Sequence, residues 1–314
     1  MADLVSTHAP LPPLDPTPST SLTGLTLGGR YCIEHRVGEG GMAHVYFARD
    51  LERDCEVAIK VLLPQLASDE ASVERLRREA VIAMRLEHPN VCPITDLGET
   101  PAGHLYLVMP FLPGEPLAMR YARYGPLPVS DGIPLLVQVC RGLRHAHGLE
   151  ILHRDLKPEN VMLVPDRDAA GGTRAVVMDF GLAKVIREEP DLQKLTRSGI
   201  VLGTPEFMSP EQLLGKDLDG RSDVYATGVL AFELFTGRMP FEGKNIQEIA
   251  LFRLKSQPFR LRAVQPELPE ALEMVIARAL ARMPQDRFQS MEELGAAFES
   301  VTARSGLARL LGGG

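Results

Sequence analysis

The sequence predicts an α+β fold in which a small antiparallel β-sheet with one key helix precedes a larger, mainly helical part. Short runs typical of strands begin at Tyr31, with a glycine-rich stretch between two of them. Apolar residues three and four positions apart indicate one amphipathic helix over 71–86. Helical patterns dominate beyond about residue 115, and the apolar run 229–235, ending at Gly237, indicates a buried central helix.

Length and composition are typical of a soluble globular protein. The chain has 314 residues, of which 45% are hydrophobic and 24% charged, so roughly one or two domains are expected. The formal net charge of -7 gives no reason to expect nucleic acid or an anionic membrane as a partner. No apolar run is long enough to span a membrane, and no secretory signal is recognisable. We therefore expect a cytoplasmic protein.

The cysteines and the two ends of the chain carry no chemistry of their own. The four cysteines are scattered without a C-x-x-C pair, which indicates reduced packing thiols. Residues 1–28 are rich in Pro, Ser and Thr, so we expect a disordered tail whose Pro10-x-x-Pro13 run is a linker rather than a ligand. Residues 301–314 are interpreted as a second tail.

The glycine-rich stretch contains Gly38, Gly40 and Gly41 and lies between the runs 31–37 and 46–49. Both flanking runs favour strands, which predicts a hairpin and argues against a dinucleotide fold, where a helix would follow the glycines. Glycines let backbone N–H groups approach phosphate oxygens without an obstructing Cβ. Alone, this is a weak signal of nucleotide binding.

Lys60 lies within the apolar strand pattern Val57-Ala58-Ile59-Lys60-Val61, which would bury its stem and direct the ammonium inward. A charge in that position needs a partner. Acids on the predicted helix 71–86, Glu79 among them, could provide it. Taken alone, Glu79 would more often be a solvated charge on an arginine-rich surface helix, and only the other motifs favour the ion pair.

The strongest chemical signal is the stretch His153–Asn160, read with Asp179-Phe180-Gly181 further along the chain. Asp155, Lys157 and Asn160 supply a candidate base, a cation and a metal-binding amide on one short loop. Asp179 supplies a second carboxylate that could hold magnesium. Phosphoryl transfer from a nucleotide to an alcohol requires these groups: a base for the alcohol, a cation for the phosphate and ligands for the metal.

On these motifs the sequence resembles the protein kinase family. H-R-D-L-x-x-x-N and D-F-G both stand unaltered, and Ser209-Pro210-Glu211 and Arg287 follow in order. The resemblance implies a two-lobed protein kinase fold, with an N-lobe at about 29–109, a hinge at 110–114 and a C-lobe at 115–300. Lys157, together with Thr204 ahead of Ser209-Pro210-Glu211, is similar to Ser/Thr-specific members. The loop Glu39-Gly40-Gly41-Met42 and the stretch Ser209-Pro210-Glu211-Gln212 look most like the eukaryotic-like Ser/Thr kinases of bacteria.

The resemblance also implies the role of each site residue, with ATP as phosphoryl donor and Mg²⁺ as metal. Lys60, anchored by Glu79, would contact the α- and β-phosphates, and Asn160 and Asp179 would hold the metal. Asp155 would accept the proton of the substrate hydroxyl, Lys157 would stabilise the transferring phosphoryl group, and Thr204 would hydrogen-bond to both of these side chains. The remaining ATP-binding positions are Gly38, Gly40, Gly41, Val45, Ala58, Met109 as gatekeeper, Pro110 through its carbonyl and Leu112 through its N–H.

Two positions of the expected nucleotide site depart from the family pattern. Ala43 occupies the third glycine position of the loop, which we expect to reduce loop flexibility without abolishing binding. Pro110 stands where a glutamate is common. Proline lacks an N–H but keeps the carbonyl that the adenine amine needs there. Both departures are therefore compatible with nucleotide binding.

Residues 182–208 correspond to the family's activation segment. Thr196 and Ser198 lie near its middle and are candidate phosphorylation sites, and Arg154 could pair with such a phosphate. We therefore expect autophosphorylation, with a transient homodimer, and protein substrates with Ser or Thr hydroxyls. Asp223 is expected to accept hydrogen bonds from the catalytic-loop backbone, and Arg287 to pair with Glu211. Both of these roles are structural.

Two other classes of protein remain as alternatives. A small-molecule phosphotransferase of the antibiotic-kinase type would share a related catalytic loop but lacks the Gly-Thr-Pro and Ser-Pro-Glu platform at 203–211. A nucleotide-binding scaffold without catalytic activity would be favoured only if Ala43 or Pro110 disabled nucleotide geometry. No catalytic position is missing, which argues against the scaffold.

Overall fold

The computed structural model describes residues 22–40, 43–63, 70–180 and 205–311. Its N-terminal part is a six-stranded sheet with strand order β1-β2-β3-β4-β6-β5, in which every neighbouring pair is antiparallel. The strands are β1 (Thr26–Leu27), β2 (Tyr31–Glu39), β3 (Ala43–Asp50), β4 (Cys55–Leu62), β5 (Asp96–Glu99) and β6 (Leu105–Pro110), with helix α1 (Glu70–Ala83) between β4 and β5.

The two faces of this sheet have different roles. Alternation along β4 buries Val57, Ile59 and Val61 in one apolar cluster, whereas Ala58 and Lys60 on the other face are only half-buried. Helix α1 covers part of that second face through Leu76 and Ala80. The amphipathic pattern that predicted α1 is thus the pattern of its contact with the sheet.

The N-terminal boundary of the domain differs from the prediction. Residues 26–27, assigned to a disordered tail ending at 28, form β1, and Leu27 is 1% exposed in the core of the sheet. The apolar pair Leu25 and Leu27 favours a strand, and Gly28 and Gly29 adopt positive φ to turn the chain into β2. A two-residue strand is too short for an alternation pattern to reveal it.

The C-terminal part is mainly helical, as predicted. Helix α5 (Gly220–Thr236) crosses its centre, and 14 of its residues are buried. Asp219 caps its N-terminus, and Gly237 ends it with a φ of 74°, a conformation that favours glycine. The helices are α2 (Leu117–Tyr124), α3 (Val129–Gly148), α4 (Pro210–Leu213), α5 (Gly220–Thr236), α6 (Ile246–Lys255), α7 (Leu261–Val264), α8 (Glu270–Ala279) and α9 (Met291–Leu311).

Helix α9 runs through the range assigned to a C-terminal tail. It continues past residue 300, and Val301 is completely buried in the helical core. That contact holds the start of the predicted tail against the domain. No helix in the described part of the chain combines the length and the apolar character needed to cross a bilayer.

A small three-stranded sheet lies where the two parts meet. Its order is β7 (Glu115–Pro116), β8 (Val161–Pro165) and β9 (Thr173–Val177), which confirms the predicted strand pair. Gly114 precedes it so closely that a Cβ there would lie 2.1 Å from the Leu163 carbonyl oxygen. The hinge therefore needs glycine at that position.

A second connection between the two parts runs through Asn90, just after α1. Its side-chain amide donates to Gln138 Oε1 at 3.1 Å and to the Ala175 carbonyl at 2.8 Å. Gln138 on α3 also accepts from the Ala175 N–H and donates to the Thr173 carbonyl. This buried network fixes the segment after α1 to the helical part.

Candidate active site

The loop after α3 is held in place by one buried carboxylate. Asp223, 1% exposed on α5, accepts the backbone N–H groups of His153 at 2.9 Å and Arg154 at 3.0 Å. Arg154 has a φ of 66°, which is unusual for a residue with a side chain. The predicted structural role of Asp223 is confirmed, since its two bonds stabilise this strained turn immediately before Asp155.

His153 joins this loop to the strand end that carries Asp179. Its Nε2 lies 2.7 Å from the Met178 carbonyl oxygen, and its Nδ1 accepts the Asp155 N–H at 3.2 Å. A carbonyl only accepts and an N–H only donates, so these partners fix the tautomer with the proton on Nε2. The ring of buried Phe180 packs edge-on against His153 at 4.8 Å. The two loops are thereby held side by side.

Asp155, Lys157 and Asn160 converge within this loop. Lys157 Nζ lies 3.1 Å from Asp155 Oδ2. The Asn160 side-chain nitrogen donates to the Asp155 carbonyl at 2.8 Å and approaches Asp155 Oδ2 at 3.4 Å. The short 3₁₀ turn Pro158–Asn160 creates this arrangement, with proline in its first position.

Lys60 reaches the same place from the sheet. Its Nζ lies 2.7 Å from Asp179 Oδ1, and the side chains are 17% and 27% exposed. Burial works to raise the pKa of Asp179, but the charge and hydrogen bond of Lys60, with the charge of Lys157, outweigh it and hold that pKa below its ordinary value. Lys60, Lys157 and Asp179 therefore share one electrostatic site, and the Asp179 carboxylate is ionised.

Among the described residues, Lys60 forms its ion pair with Asp179 and not, as was predicted, with Glu79. The carboxylate bound to Lys60 is that of Asp179. Glu79 is half-buried on α1, and its charge acts on Arg154, whose pKa burial lowers while Asp223 and Glu79 oppose the change. The ATP-binding role of Glu79 stays a prediction.

The donor set next to Lys60 suits a hard divalent cation. The nitrogen of the Asn160 amide is engaged by Asp155, which leaves its oxygen as the ligand atom, and Asp179 provides an ionised carboxylate. The Met178 N–H donates to the Asn160 carbonyl at 2.9 Å, so the two ligands are held on adjacent backbones. Mg²⁺ favours such oxygen ligands, one or two from protein and the rest from water and phosphate.

A cleft between the sheet and this loop has apolar walls. In β4, Ala58 pairs with Met109 of β6, and Lys60 pairs with Val45 of β3. Below them, Met109, Leu112 and the β8 residue Met162 pack against one apolar cluster. Pro110 ends β6, and the Leu112 N–H makes no hydrogen bond within the described residues. That N–H is available to a planar ligand between the walls.

The glycine-rich hairpin has the predicted form. Gly38 pairs with Val45, and the Gly40 N–H donates to the Ala43 carbonyl at 3.0 Å. The Ala43 methyl is 6% exposed and packs with Leu62 of β4 and with residues of α1 and β6. The departure from glycine at position 43 therefore adds a core contact under α1.

Four predicted site residues lie outside the described residues: Gly41, Thr196, Ser198 and Thr204. For two residues that hold the site, the sequence predicted no role in it. His147 Nε2 lies 2.7 Å from Asp223 Oδ2, and Gln212 Nε2 donates to the Arg154 carbonyl at 2.9 Å. Gln212 belongs to a capping box with Ser209, a recognisable Ser-x-x-Gln pattern, whereas nothing in the sequence marks His147.

Three glutamates concentrate negative charge beside the catalytic loop. Burial raises the pKa of Glu233 on α5 to about 7, and the carboxylates of Glu159 and Glu206 add to the rise. The Oε2 atoms of Glu206 and Glu233 are buried without a hydrogen-bond partner. Because the folded pKa of Glu233 exceeds its ordinary 4.5, the stability gained from its protonated form is present below pH 4.5 and lost as the pH rises through about 7.

Glu233→Gln is therefore expected to raise the free energy of unfolding at pH 8.5 by about 1–2 kcal/mol, a gain that shrinks towards pH 5.5. Urea unfolding at both pH values measures it. Glu242→Gln is the control, since a hydrogen bond from Arg238 lowers the pKa of Glu242 and that substitution should lose stability at both values. A Glu233→Gln effect of equal size at the two pH values would contradict the prediction.

Comparisons with known proteins agree with this geometry. The family model described as protein kinase domain matches residues 31–298. Serine/threonine-protein kinase pkn3 of Myxococcus xanthus is 41% identical over 288 residues, covering 91% of this chain and 52% of that protein. Serine/threonine-protein kinase PrkC of Bacillus subtilis is 37% identical over 275 residues, covering 88% and 41%. The chain thus spans about half or less of the length of these relatives.

Solved structures show the same fold. The crystal structure of the Mycobacterium tuberculosis PknI kinase domain superimposes with a TM-score of 0.69 at 31% sequence identity, covering 89% of this chain and 98% of that one. The two-lobed protein kinase fold is therefore confirmed. The chain belongs to the protein kinase family, and its matched region is a serine/threonine protein kinase catalytic domain of the bacterial type.

Proposed function

We propose that this protein transfers the γ-phosphoryl group of ATP to serine and threonine hydroxyls of proteins, with Mg²⁺ as the metal. The observation that carries the proposal is the convergence of Lys60 and Asp179, 2.7 Å apart, with Lys157 and Asp155, 3.1 Å apart, at one end of an apolar cleft. Two cations, two carboxylates and an amide oxygen at one place suit phosphoryl transfer, which depends on positioning and on charge stabilisation.

The residues of the chain divide the work as follows. The apolar walls around Ala58, Val45 and Met162 hold the adenine, and the Leu112 N–H and the Pro110 carbonyl orient it. Lys60 binds non-transferring phosphate oxygens. Asp155 orients the attacking hydroxyl and accepts its proton. Lys157 stabilises the negative charge on the phosphoryl group in the transition state of the transfer. Mg²⁺, held by Asn160 and Asp179, supplies neutralisation of the phosphate charge.

The proposal predicts metal-dependent labelling of hydroxyl amino acids. The protein is incubated with γ-labelled ATP, Mg²⁺ and a generic basic protein, and the product is hydrolysed to its phosphoamino acids. Phosphoserine and phosphothreonine are expected, phosphotyrosine is not, and EDTA should stop the reaction because phosphate charge is then uncompensated. Incorporation into a small aminoglycoside instead of protein, or none at all with folded material, would contradict the proposal.

Autophosphorylation of the activation segment is part of the proposal. Arg154, beside Asp155, supports it as the cation that a phosphate on Thr196 or Ser198 would bind. The double substitution Thr196→Ala and Ser198→Ala is expected to lower activity towards added protein several-fold and to remove most self-labelling, measured by phosphopeptide mapping. Unchanged activity and labelling would exclude these two sites. Transfer between two copies predicts a second-order dependence of self-labelling on protein concentration.

We further propose a cytoplasmic location for this domain, where ATP and reduced thiols coexist. Buried Cys92 and Cys140 support it, because burial raises the pKa of the Cys92 thiol to about 12 and raises that of Cys140 further, so both are unreactive packing groups. Protein hydroxyls, and not nucleic acid, are the proposed partners.

A further inference from the structure

One buried arginine of the large lobe takes no part in the groups described so far. Arg253 on α6 is 1% exposed. Arginine is almost never fully buried unless its charge and its N–H donors are engaged. Its Nη1 donates to the Met208 carbonyl oxygen at 2.7 Å, and its Nη2 donates to the carbonyl oxygen of Glu206. A side chain of α6 thus binds backbone that lies 45 and 47 positions earlier in the chain.

Aromatic and apolar neighbours hold this guanidinium in place. Its central carbon lies 5.9 Å from the ring centre of Tyr225 on α5 and 5.6 Å from that of Phe241, close enough for cation–π attraction. The side chain of Met208 is buried and packs with Leu213 of α4 and with Ala250, one turn earlier on α6. The guanidinium therefore has little freedom to turn, and the two carbonyls are fixed relative to α6.

The backbone that Arg253 binds leads directly to the support of the catalytic loop. Residues 205–208 form a 3₁₀ turn and the residue after it, and α4 follows them. Gln212 of α4 donates to the Arg154 carbonyl at 2.9 Å, immediately before Asp155. The segment 205–208 is thus tied to α6 on one side and, through α4, to the catalytic loop on the other. The position of α6 therefore determines where this segment lies relative to Asp155.

We propose that Arg253 is a positioning residue for the protein substrate. By binding two carbonyls of 205–208, it fixes the surface on which the chain around the acceptor hydroxyl is held beside Asp155. The inference rests on the proposed function, because 205–208 belong to the stretch 203–211 that a small-molecule phosphotransferase lacks. A guanidinium presents its N–H groups in a rigid planar fork, and a lysine ammonium on a flexible stem does not reproduce that fork.

The residues assigned to ATP and the metal are independent of this segment. Within the described parts of the chain, Lys60, Asn160 and Asp179 make no hydrogen bond to 205–208. Displacing the segment should therefore weaken the binding of a protein acceptor and leave ATP binding intact. The hydrolysis of ATP by water, which needs no acceptor, should also be retained. A general loss of folding would lower all of these activities together.

The test compares the full chain with its variants Arg253→Lys and Arg253→Met. Initial rates with γ-labelled ATP and the generic basic protein give kcat and KM, phosphate release without acceptor gives ATP hydrolysis, and calorimetry gives the Kd of ATP. For both variants kcat/KM is expected to fall about tenfold or more, mostly through KM, while ATP hydrolysis and the Kd stay within about twofold. Arg253→Lys keeps a cation in the core and serves as the test if Arg253→Met does not fold.

Hydrogen exchange followed by mass spectrometry tests the cause without any phosphoryl transfer. The amides of 205–214 are expected to exchange about tenfold faster in both variants, and those of α9 at the parent's rate. Leu294→Ala is the matched control, because Leu294 is completely buried on α9, whose main contacts are with α3, α5 and α8. That substitution loses core packing but should keep both the exchange at 205–214 and the ratio of acceptor phosphorylation to ATP hydrolysis.

Equal falls in acceptor phosphorylation and ATP hydrolysis would make Arg253 a residue of the core alone and overturn the proposal. An unchanged KM in both variants, or a raised KM with unaltered exchange at 205–214, would also overturn it. Absence of phosphoryl transfer by the parent protein contradicts the proposed function itself. With an active parent, each of the other results bears only on the role of Arg253.

Discussion

Asp155→Asn is expected to lower the rate of phosphoryl transfer by about 10³-fold while the protein stays folded and binds ATP. The substitution keeps the size of the side chain and an oxygen near Asn160, but it removes the proton acceptor and the charge opposite Lys157, 3.1 Å away. Acid–base groups of this kind contribute about 10²–10⁴ in rate. Initial rates with γ-labelled ATP and a calorimetric Kd for the nucleotide separate catalysis from binding.

Asp166→Asn is a matched control for that measurement. Asp166 follows β8 and pairs with Arg174 at 3.0 Å, so it is also a carboxylate next to a cation in the large lobe. It lies outside the cleft, and its loss should leave the rate within about twofold. If Asp155→Asn retained a tenth of the parent's activity, another group would have to accept the proton.

Arg287→Met is expected to cost about 3–5 kcal/mol of the free energy of unfolding. The guanidinium is completely buried and binds both carboxylate oxygens of Glu211 at 2.7 and 2.8 Å. It also donates to three backbone carbonyls, those of Arg221, Ala281 and Arg282. Removing it leaves an uncompensated buried carboxylate and unpaired acceptors. Urea unfolding followed by circular dichroism measures the loss.

An exposed ion pair provides the comparison. Arg141→Met breaks the contact with Glu299, in which the side chains are 59% and 55% exposed, and should cost about 1 kcal/mol or less. Equal losses in the two variants would show that burial of the Arg287–Glu211 pair contributes nothing.

Local patterns predicted most of the fold. Alternation in β4 and the glycines before β3 identify the sheet, and the apolar run of α5 identifies the centre of the large lobe. Asp155, Asn160 and Asp179 could be recognised because their loops are short and their spacing within each loop is fixed. The predicted contact of Arg287 with Glu211 is confirmed for the same reason, as both belong to recognisable motifs.

The contacts that could not be predicted depend on how separate elements are placed. Whether Lys60 meets Glu79 or Asp179 is decided by the position of α1 relative to β4, which periodicity does not encode. His147 reaches Asp223 across 76 positions of the chain. In each case the contact depends on the relative position of two elements, which the sequence pattern of either element does not specify.

The hydrogen bonds of Asn90 bear on how the cleft can open. They connect the segment that follows α1 to the large lobe, while the body of α1 packs against the sheet of the small lobe. A change in the angle between the lobes must therefore be accommodated in the chain between Ala83, where α1 ends, and Asn90.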